Sequence, residues 1–424
     1  MNYPDSVHFL YALGNEIKTA KFGLERIRAV LEALGNPQDR LTIVHVAGTN
    51  GKGSTCAMIE AGFRAAGLRT GLYTSPHLAE PTERIRIDGR AVSAVRFAEA
   101  FNRVHAVVEQ LLAREAIDLH TTYFETVTAM ALLIFAEEGV DRVVLEVGLG
   151  GRLDATNVVR PALAVIVPID FDHEAWLGRG IESIAAEKAG ILKTGVPAVF
   201  ARERPEAAAV LDARAAELGI AVTRAAESTV RNVSLDARGS RFELAGATPL
   251  AIHCPLAGEH QVDNAVTAAL ALLACGIDRR AIETGIAATV WPGRLEYVRE
   301  RPPIILDGAH NPAAARALAA YINRFYGHAR LRLIFGIMRD KAAAEIAGIL
   351  FPLASQVIVT APRQPRSLAP ETLRAVSGHT NLRVAPTLEE ALGLVADASP
   401  DEVIFITGSL FLVAEARALL VRGD

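Results

Sequence analysis

The chain has little cysteine, no long apolar run and almost balanced charge. Cys56, Cys254 and Cys275 are odd in number and widely spaced, so they suggest neither a disulfide framework nor a cysteine zinc site, and packing is the role left to them. No apolar stretch reaches the roughly 18 residues that span a bilayer. The start, Met1-Asn2-Tyr3-Pro4-Asp5, lacks the basic segment and apolar run of a secretory leader. A cytoplasmic protein with no membrane partner is therefore expected. A net charge of -4 offers no footprint for a polyanion, so no nucleic-acid partner is expected either. Without heptads or another sign of an assembly surface, the expected state is a monomer.

At 424 residues the chain exceeds one typical core, and a prior of about 150 residues per domain allows two or three domains. Two fit best. From Leu41 onward, strand-like runs at 41–46, 69–73, 142–147, 162–169 and 197–200 alternate with segments such as 54–66 and 124–138, whose apolar residues recur at three and four spacing. That alternation predicts α/β architecture with a parallel sheet. A more polar interval, 225–249, reads as a small antiparallel excursion. The pair Pro292-Gly293 breaks structure just before the pattern restarts, which sets the expected domains at 1–293 and 294–424. The second part repeats strand then helix on a shorter period, with strands at 304–306, 331–335, 356–360, 382–384 and 403–406. It predicts a smaller, doubly wound, Rossmann-like sheet. Ligands sit at the carboxyl ends of strands in such folds, so a cleft between two facing sheets is expected.

Val44-His45-Val46-Ala47 leads into Gly48-Thr49-Asn50-Gly51-Lys52-Gly53-Ser54-Thr55, a buried strand turning into a helix through a glycine-rich loop. Glycines free the backbone to aim successive N–H groups at one anion, and Lys52 adds charge where the helix dipole already favours phosphate. The loop departs from a strict P-loop, because Val46 replaces the first glycine and Gly53 separates Lys52 from Ser54. Glu146 ends the apolar run Arg142 to Leu145, as a Walker B acid does, and is the metal candidate. Alone it would serve as readily as a cap or ion-pair residue. The run Asp170-Phe171-Asp172-His173 also follows an apolar strand. Magnesium prefers oxygen, so on chemistry alone His173 reads as an ordinary hydrogen-bonded histidine. Lys188, near a helix end, reads as a solvated lysine. In the second domain Asp307-Gly308-Ala309-His310-Asn311-Pro312 repeats the design of a strand, polar residues and a helix start. There Asp307 as a cap and His310 as a solvated residue remain the plainer alternatives.

Taken in order, these pieces resemble the bacterial dihydrofolate synthase/folylpolyglutamate synthase family of the Mur ligase superfamily. The resemblance rests on Gly48 to Ser54, Tyr73-Thr74-Ser75-Pro76-His77-Leu78, Glu83-Arg84-Ile85, Glu146 to Asn157, Asp172-His173, Glu187-Lys188-Ala189-Gly190, Trp291-Pro292-Gly293-Arg294, Asp307 to Pro312 and Gly408-Ser409. It covers nearly the whole chain, and the family's loop carries the extra glycine found at Gly53. The resemblance implies an ATP-dependent ligase that adds L-glutamate to folates, and also to dihydropteroate, through an acyl phosphate. It implies ATP and magnesium at two sites, with Ser75, Glu146 and His173 as metal ligands. Asn50, Gly51, Lys52, Gly53, Ser54, Asn264, Arg294 and Asp307 would contact the nucleotide. Lys52, Lys188 and His310 would serve catalysis, Lys188 as a carbamate. For the pterin end it points to Phe22, Gly23, Leu24, Tyr123, Phe124 and Asp154, although core packing explains Phe124 equally well.

Two other readings fit parts of the pattern. Muropeptide ligases resemble one another in having a nucleotide-sugar domain before the loop, whereas 47 residues precede Gly48 here. A P-loop switch that forms no bond would leave Asp307, His310 and Trp291 to Arg294 unexplained.

Overall fold

The structure is a computed structural model that describes residues 1–14 and 23–421. Phe22 lies outside the described residues. The chain divides into two compact units. The first takes Met1–Asn232, Phe242–His253 and Asp263–Thr289, and the second Val233–Arg241, Cys254–Val262 and Val290–Asp424.

The first unit is built on eight strands: β1 (Ile43–Ala47), β2 (Thr70–Tyr73), β3 (Ile85–Ile87), β4 (Arg90–Ala91), β5 (Arg142–Glu146), β6 (Leu163–Ile166), β7 (Ala198–Phe200) and β8 (Val222–Arg224). Their order is β4-β3-β2-β5-β1-β6-β7-β8. Pairing is parallel from β2 through β5, β1, β6 and β7 to β8. Every residue of β1 is buried, as a central parallel strand covered on both faces requires. The helix Tyr123–Glu138 shows how local and global signals agree. A capping box of Thr122 and Glu125 starts it, left-handed Gly139 ends it, and its first thirteen residues, Tyr123 to Phe135, are all buried. With Ile27, Leu31, Phe97 and Phe101 it forms the main core on that face of the sheet.

One edge departs from the expected all-parallel pattern, since β3 pairs antiparallel with both β2 and β4. The signal was the dipeptide Asp88-Gly89 between short apolar runs. Both residues have positive φ, 48° and 78°, as a two-residue hairpin turn of the primed type demands.

The polar interval 225–249 contributes β9 (Thr229–Asp236) and β10 (Gly239–Ala245), and β11 (Leu250–Cys254) follows it to complete a three-stranded sheet of order β11-β10-β9. The second unit is built on a six-stranded sheet of β12 (Glu296–Glu300), β13 (Pro303–Leu306), β14 (Arg330–Phe335), β15 (Gln356–Val359), β16 (Leu382–Val384) and β17 (Glu402–Thr407). They run in the order β12-β13-β17-β14-β15-β16, parallel except at β12. Leu333, Phe335, Val357 and Phe405 pack under the helix Pro312–Tyr326, which is capped by Asn311 and carries proline at its first position.

Candidate functional site

Register brings four strand ends of the first unit to one edge. Val46 lies beside Glu146 and Val165, and Tyr73 beside Leu145. The loops after β1, β2, β5 and β6 therefore open together, where parallel sheets bind ligands. The first and last are tied directly. Thr49 and Asn50 N–H donate to the Pro168 carbonyl at 2.9 and 3.1 Å. The Thr49 hydroxyl donates to the Asp170 carbonyl at 3.0 Å, and the Asp170 N–H donates back to that hydroxyl at 3.1 Å.

Two glycines are needed for this closeness. Gly48 has φ +148°, and a Cβ there would lie 2.4 Å from the Val167 carbonyl oxygen. Gly51 has φ +88°, and its Cβ would lie 2.3 Å from Asn264 Oδ1, which is how buried Asn264 comes to lie against the loop. Gly48→Ala meets backbone that cannot swing aside, so it should lower stability by at least about 2 kcal/mol. The change is read as a lower urea midpoint, and a midpoint equal to the parent's would contradict it.

Lys52 opens the helix Lys52–Ala65, and its Nζ donates to the carbonyls of Gly48 and Thr49 at 3.2 Å each. Lys188 Nζ donates to the same Gly48 carbonyl at 2.8 Å. Lys188 is buried, with 4% of its surface exposed, so the solvated reading is wrong. The helix Ile181–Ala189 turns it inward against the loop. Burial, and then the positive charge of Lys52, push its ammonium down to about 7, against the pull of Asp172, Asp154 and Glu203. On the same helix as Lys52, the Thr55 hydroxyl is buried with no hydrogen-bond partner. A glycine cradle that a Cβ would fill, a helix N-terminus and two lysines fit a polyphosphate.

The Ser75 N–H donates to Glu146 Oε2 at 3.0 Å, and Glu146 is buried. A hydroxyl and a buried carboxylate are the hard oxygen donors that a magnesium ion takes. His173 lies on the loop after β6 in a left-handed conformation, φ 54°, with its N–H on Asp172 Oδ1 at 2.9 Å. The sequence reading missed Glu203, which follows β7 at the same edge. Its Oε2 accepts from the Ile169 N–H at 2.9 Å while Oε1 is buried without a partner. Burial pushes its carboxyl up to about 8.

Next to this edge is a cleft of about 230 Å³. Its walls include Gly23, Phe124 and Asp154, with Arg26, Glu125 and Trp176 besides. Gly148 lets Phe124 approach, since a Cβ there would lie 2.5 Å from Phe124 Cζ. Asp154 holds the wall in shape. It accepts from the N–H groups of Leu149 at 2.8 Å and Thr156 at 2.9 Å, and burial raises its pKa despite them. Arg26 and Glu125 form a buried pair at 3.3 Å. Charges on otherwise apolar helix faces were the available signal for them. Two expected residues are not among the cleft's walls. Leu24 joins the core, and Tyr123 stacks on Tyr11 at 5.7 Å beneath the Arg84 guanidinium.

In the second unit Asp307, at the end of β13, accepts from the Leu295 N–H at 3.1 Å and the Ala309 N–H at 3.0 Å, fixing the turn that carries Arg294. Burial raises its pKa, and Arg294 opposes that rise. Arg294 passes so near Gly308 that a Cβ there would lie 2.5 Å from Nη1. The His310 ring donates through Nδ1 to the Gly308 carbonyl at 2.8 Å. The helix is capped by Asn311, not by Asp307.

Comparison with known proteins identifies the family of both parts of the chain. Residues 46–272 match the Mur ligase middle domain, and residues 293–410 the Mur ligase glutamate ligase domain. The chain is 37% identical over 410 residues to the dihydrofolate synthase/folylpolyglutamate synthase of Escherichia coli, covering 95% of this chain and 92% of that one. A probable bifunctional folylpolyglutamate synthase/dihydropteroate synthase of Halobacterium salinarum is 37% identical over 434 residues. The whole chain aligns there, but it spans about half, 52%, of that relative's length. Among solved structures, the folylpolyglutamate synthase of Mycobacterium tuberculosis complexed with ADP and AMPPCP superposes with a TM-score of 0.92 at 35% identity, over the full length of both chains.

Proposed function

Since the chain belongs to the dihydrofolate synthase/folylpolyglutamate synthase family of Mur ligases and is an ATP-dependent ligase that joins L-glutamate to folates, we propose that it works through an acyl phosphate and accepts dihydropteroate as a second substrate. In the first step a substrate carboxylate oxygen attacks the γ-phosphorus of ATP and the bond to ADP breaks. In the second the glutamate amine attacks the acyl carbon, phosphate leaves and the amine loses a proton.

Each residue's task follows from its setting. Lys52 and the N–H groups of Gly51, Gly53 and Ser54 hold the phosphates, with Asn50 as a further nucleotide contact, on a loop that the Thr49 and Asn50 N–H groups stitch to Pro168 and the Thr49 hydroxyl to Asp170. Asn264 props Gly51 from behind. Ser75, Glu146 and His173 would hold one magnesium ion and a carbamylated Lys188 would help hold a second, and bound there they would supply positive charge opposite the transferring group. The cleft around Gly23, Phe124 and Asp154 takes the pterin, whose flat ring suits an aromatic wall. For the second unit, family resemblance supports Arg294 and Asp307 as nucleotide contacts and His310 as the residue facing the transferred group. It also supports 1–293 as the ATP-binding part and 294–424 as the glutamate-ligase part. A cytoplasmic monomer without nucleic-acid partners fits the low net charge, and among the described residues no helix is long and apolar enough to cross a membrane.

The observation that carries the reading is the convergence of two lysines on the Gly48 carbonyl, in a glycine cradle at four strand ends. The test is to incubate the chain with MgATP and glutamate, adding dihydropteroate or tetrahydrofolate in separate reactions. ADP release should require a pterin substrate, and each product should gain the mass of one glutamyl residue. ADP release without any pterin would favour a switch that makes no bond. Release with tetrahydrofolate alone would remove dihydropteroate from the proposal.

A further inference from the structure

We propose that His105, Glu109 and His120 form a site for a divalent transition-metal ion of the zinc class, apart from the nucleotide edge. His105 and Glu109 lie one turn apart on the helix Ala94–Ala113, so their side chains share a face. His120 comes from the segment just before Thr122, the cap of the helix Tyr123–Glu138. Glu109 Oε1 stands 3.9 Å from His105 Nδ1 and 3.9 Å from His120 Nε2, and the three ligand atoms lie within 4.8 Å of one another.

Both imidazole nitrogens are buried, and neither has a hydrogen-bond partner. A buried acceptor left unmatched is costly unless something occupies it. The His120 tautomer is fixed for ligation. Its Nδ1–H donates to the Thr121 carbonyl at 2.9 Å, which leaves the Nε2 lone pair facing the other two donors, as the outer partners of metal-bound histidines do. Aromatic packing holds the rings in place, with Phe9 4.7 Å from His105 and 5.5 Å from His120, and Phe101 stacked on His105 at 5.5 Å.

Two imidazoles and one carboxylate are a zinc-type donor set with one position left for water. Metal–ligand bonds of about 2.0–2.1 Å place tetrahedral ligand atoms roughly 3.3 Å apart, so the two imidazole nitrogens, within 4.8 Å of each other, must draw together, and Glu109 Oε1 must close its two 3.9 Å separations by about half an ångström. The Glu109 side chain, 57% exposed, is free to make that movement. Magnesium demands an oxygen-rich octahedron and would be refused. An ion here would clip the end of one helix to the start of another, whose first turn supplies Phe124 and Glu125 to the cleft.

The full chain, stripped with chelator and held in saturating Mg2+, is titrated with Co2+ while its visible absorption is followed. One equivalent should bind with the strong d–d bands of a four- or five-coordinate ion, and Zn2+ should displace it. Glu109→Gln and His105→Gln should each weaken binding by more than the ten- to hundredfold typical of losing an outer partner. Glu109 is exposed, so its variant keeps the fold, and its unchanged ligase turnover in Mg2+ reports this. Absence of the bands at submillimolar Co2+, or bands that survive both substitutions, would overturn the site.

Discussion

Lys52→Ala is expected to cut ligase turnover by at least about a hundredfold, the scale for removing one preorganised charge stabiliser. The ammonium is held by the Gly48 and Thr49 carbonyls at 3.2 Å, at the first position of a helix whose dipole points the same way. It is therefore in place before ATP arrives, and no reorganisation is needed as charge develops on the phosphoryl group. Lys52→Arg should recover little, because a planar guanidinium is poorly matched to a loop confined by Val167 on one side and Asn264 on the other. Thermal stability should stay near the parent value, since Lys52 is only half-buried. The measurement is ADP release against pterin concentration, with melting followed in parallel. Activity within a few fold of the parent would remove Lys52 from catalysis.

How much of this was legible beforehand differs by feature. The alternation of apolar runs located β1, β2, β5, β6 and β7 to within three residues, because buried parallel strands leave a continuous hydrophobic record. The antiparallel edge was less visible, because β4 has two exposed residues and no apolar pattern of its own. At the site, glycines and strand-end acids were readable because backbone freedom and position in the fold depend on residue type and order alone. Burial was not. Lys188 looks like any helix lysine in sequence, and only the packing of the helix Ile181–Ala189 against the loop turns its amine onto Gly48. The cleft wall failed similarly. Tyr123 and Phe124 are adjacent, yet one helical step of about 100° sends Phe124 to the cleft and Tyr123 toward Tyr11.

Lys188→Ala should lower turnover about as far as Lys52→Ala, but for a different reason, and bicarbonate should tell the two apart. A buried ammonium beside Lys52 is disfavoured, and its pKa is held at about 7 where an ordinary lysine has 10.5. The unfolded chain keeps this proton up to the higher value, so the cost of burying the charge is fully present below about pH 7 and disappears as pH rises from there toward 10.5. The folded enzyme thus holds a substantial fraction of neutral amine at ordinary pH, and a neutral amine adds to carbon dioxide, giving a carbamate and releasing one proton. That reaction replaces a cation by a carboxylate, and the remaining N–H can still donate to the Gly48 carbonyl. Enzyme freed of carbon dioxide should lose activity and regain it with bicarbonate, more slowly as pH falls below 7 and the amine is protonated. With ¹³C-labelled bicarbonate the parent should show a carbamate carbon resonance that Lys188→Met lacks. Lys52→Ala should keep that resonance while remaining inactive. Full activity without carbon dioxide would mean that Lys188 acts as a plain amine, and it would remove the carbamate from the second magnesium site proposed above.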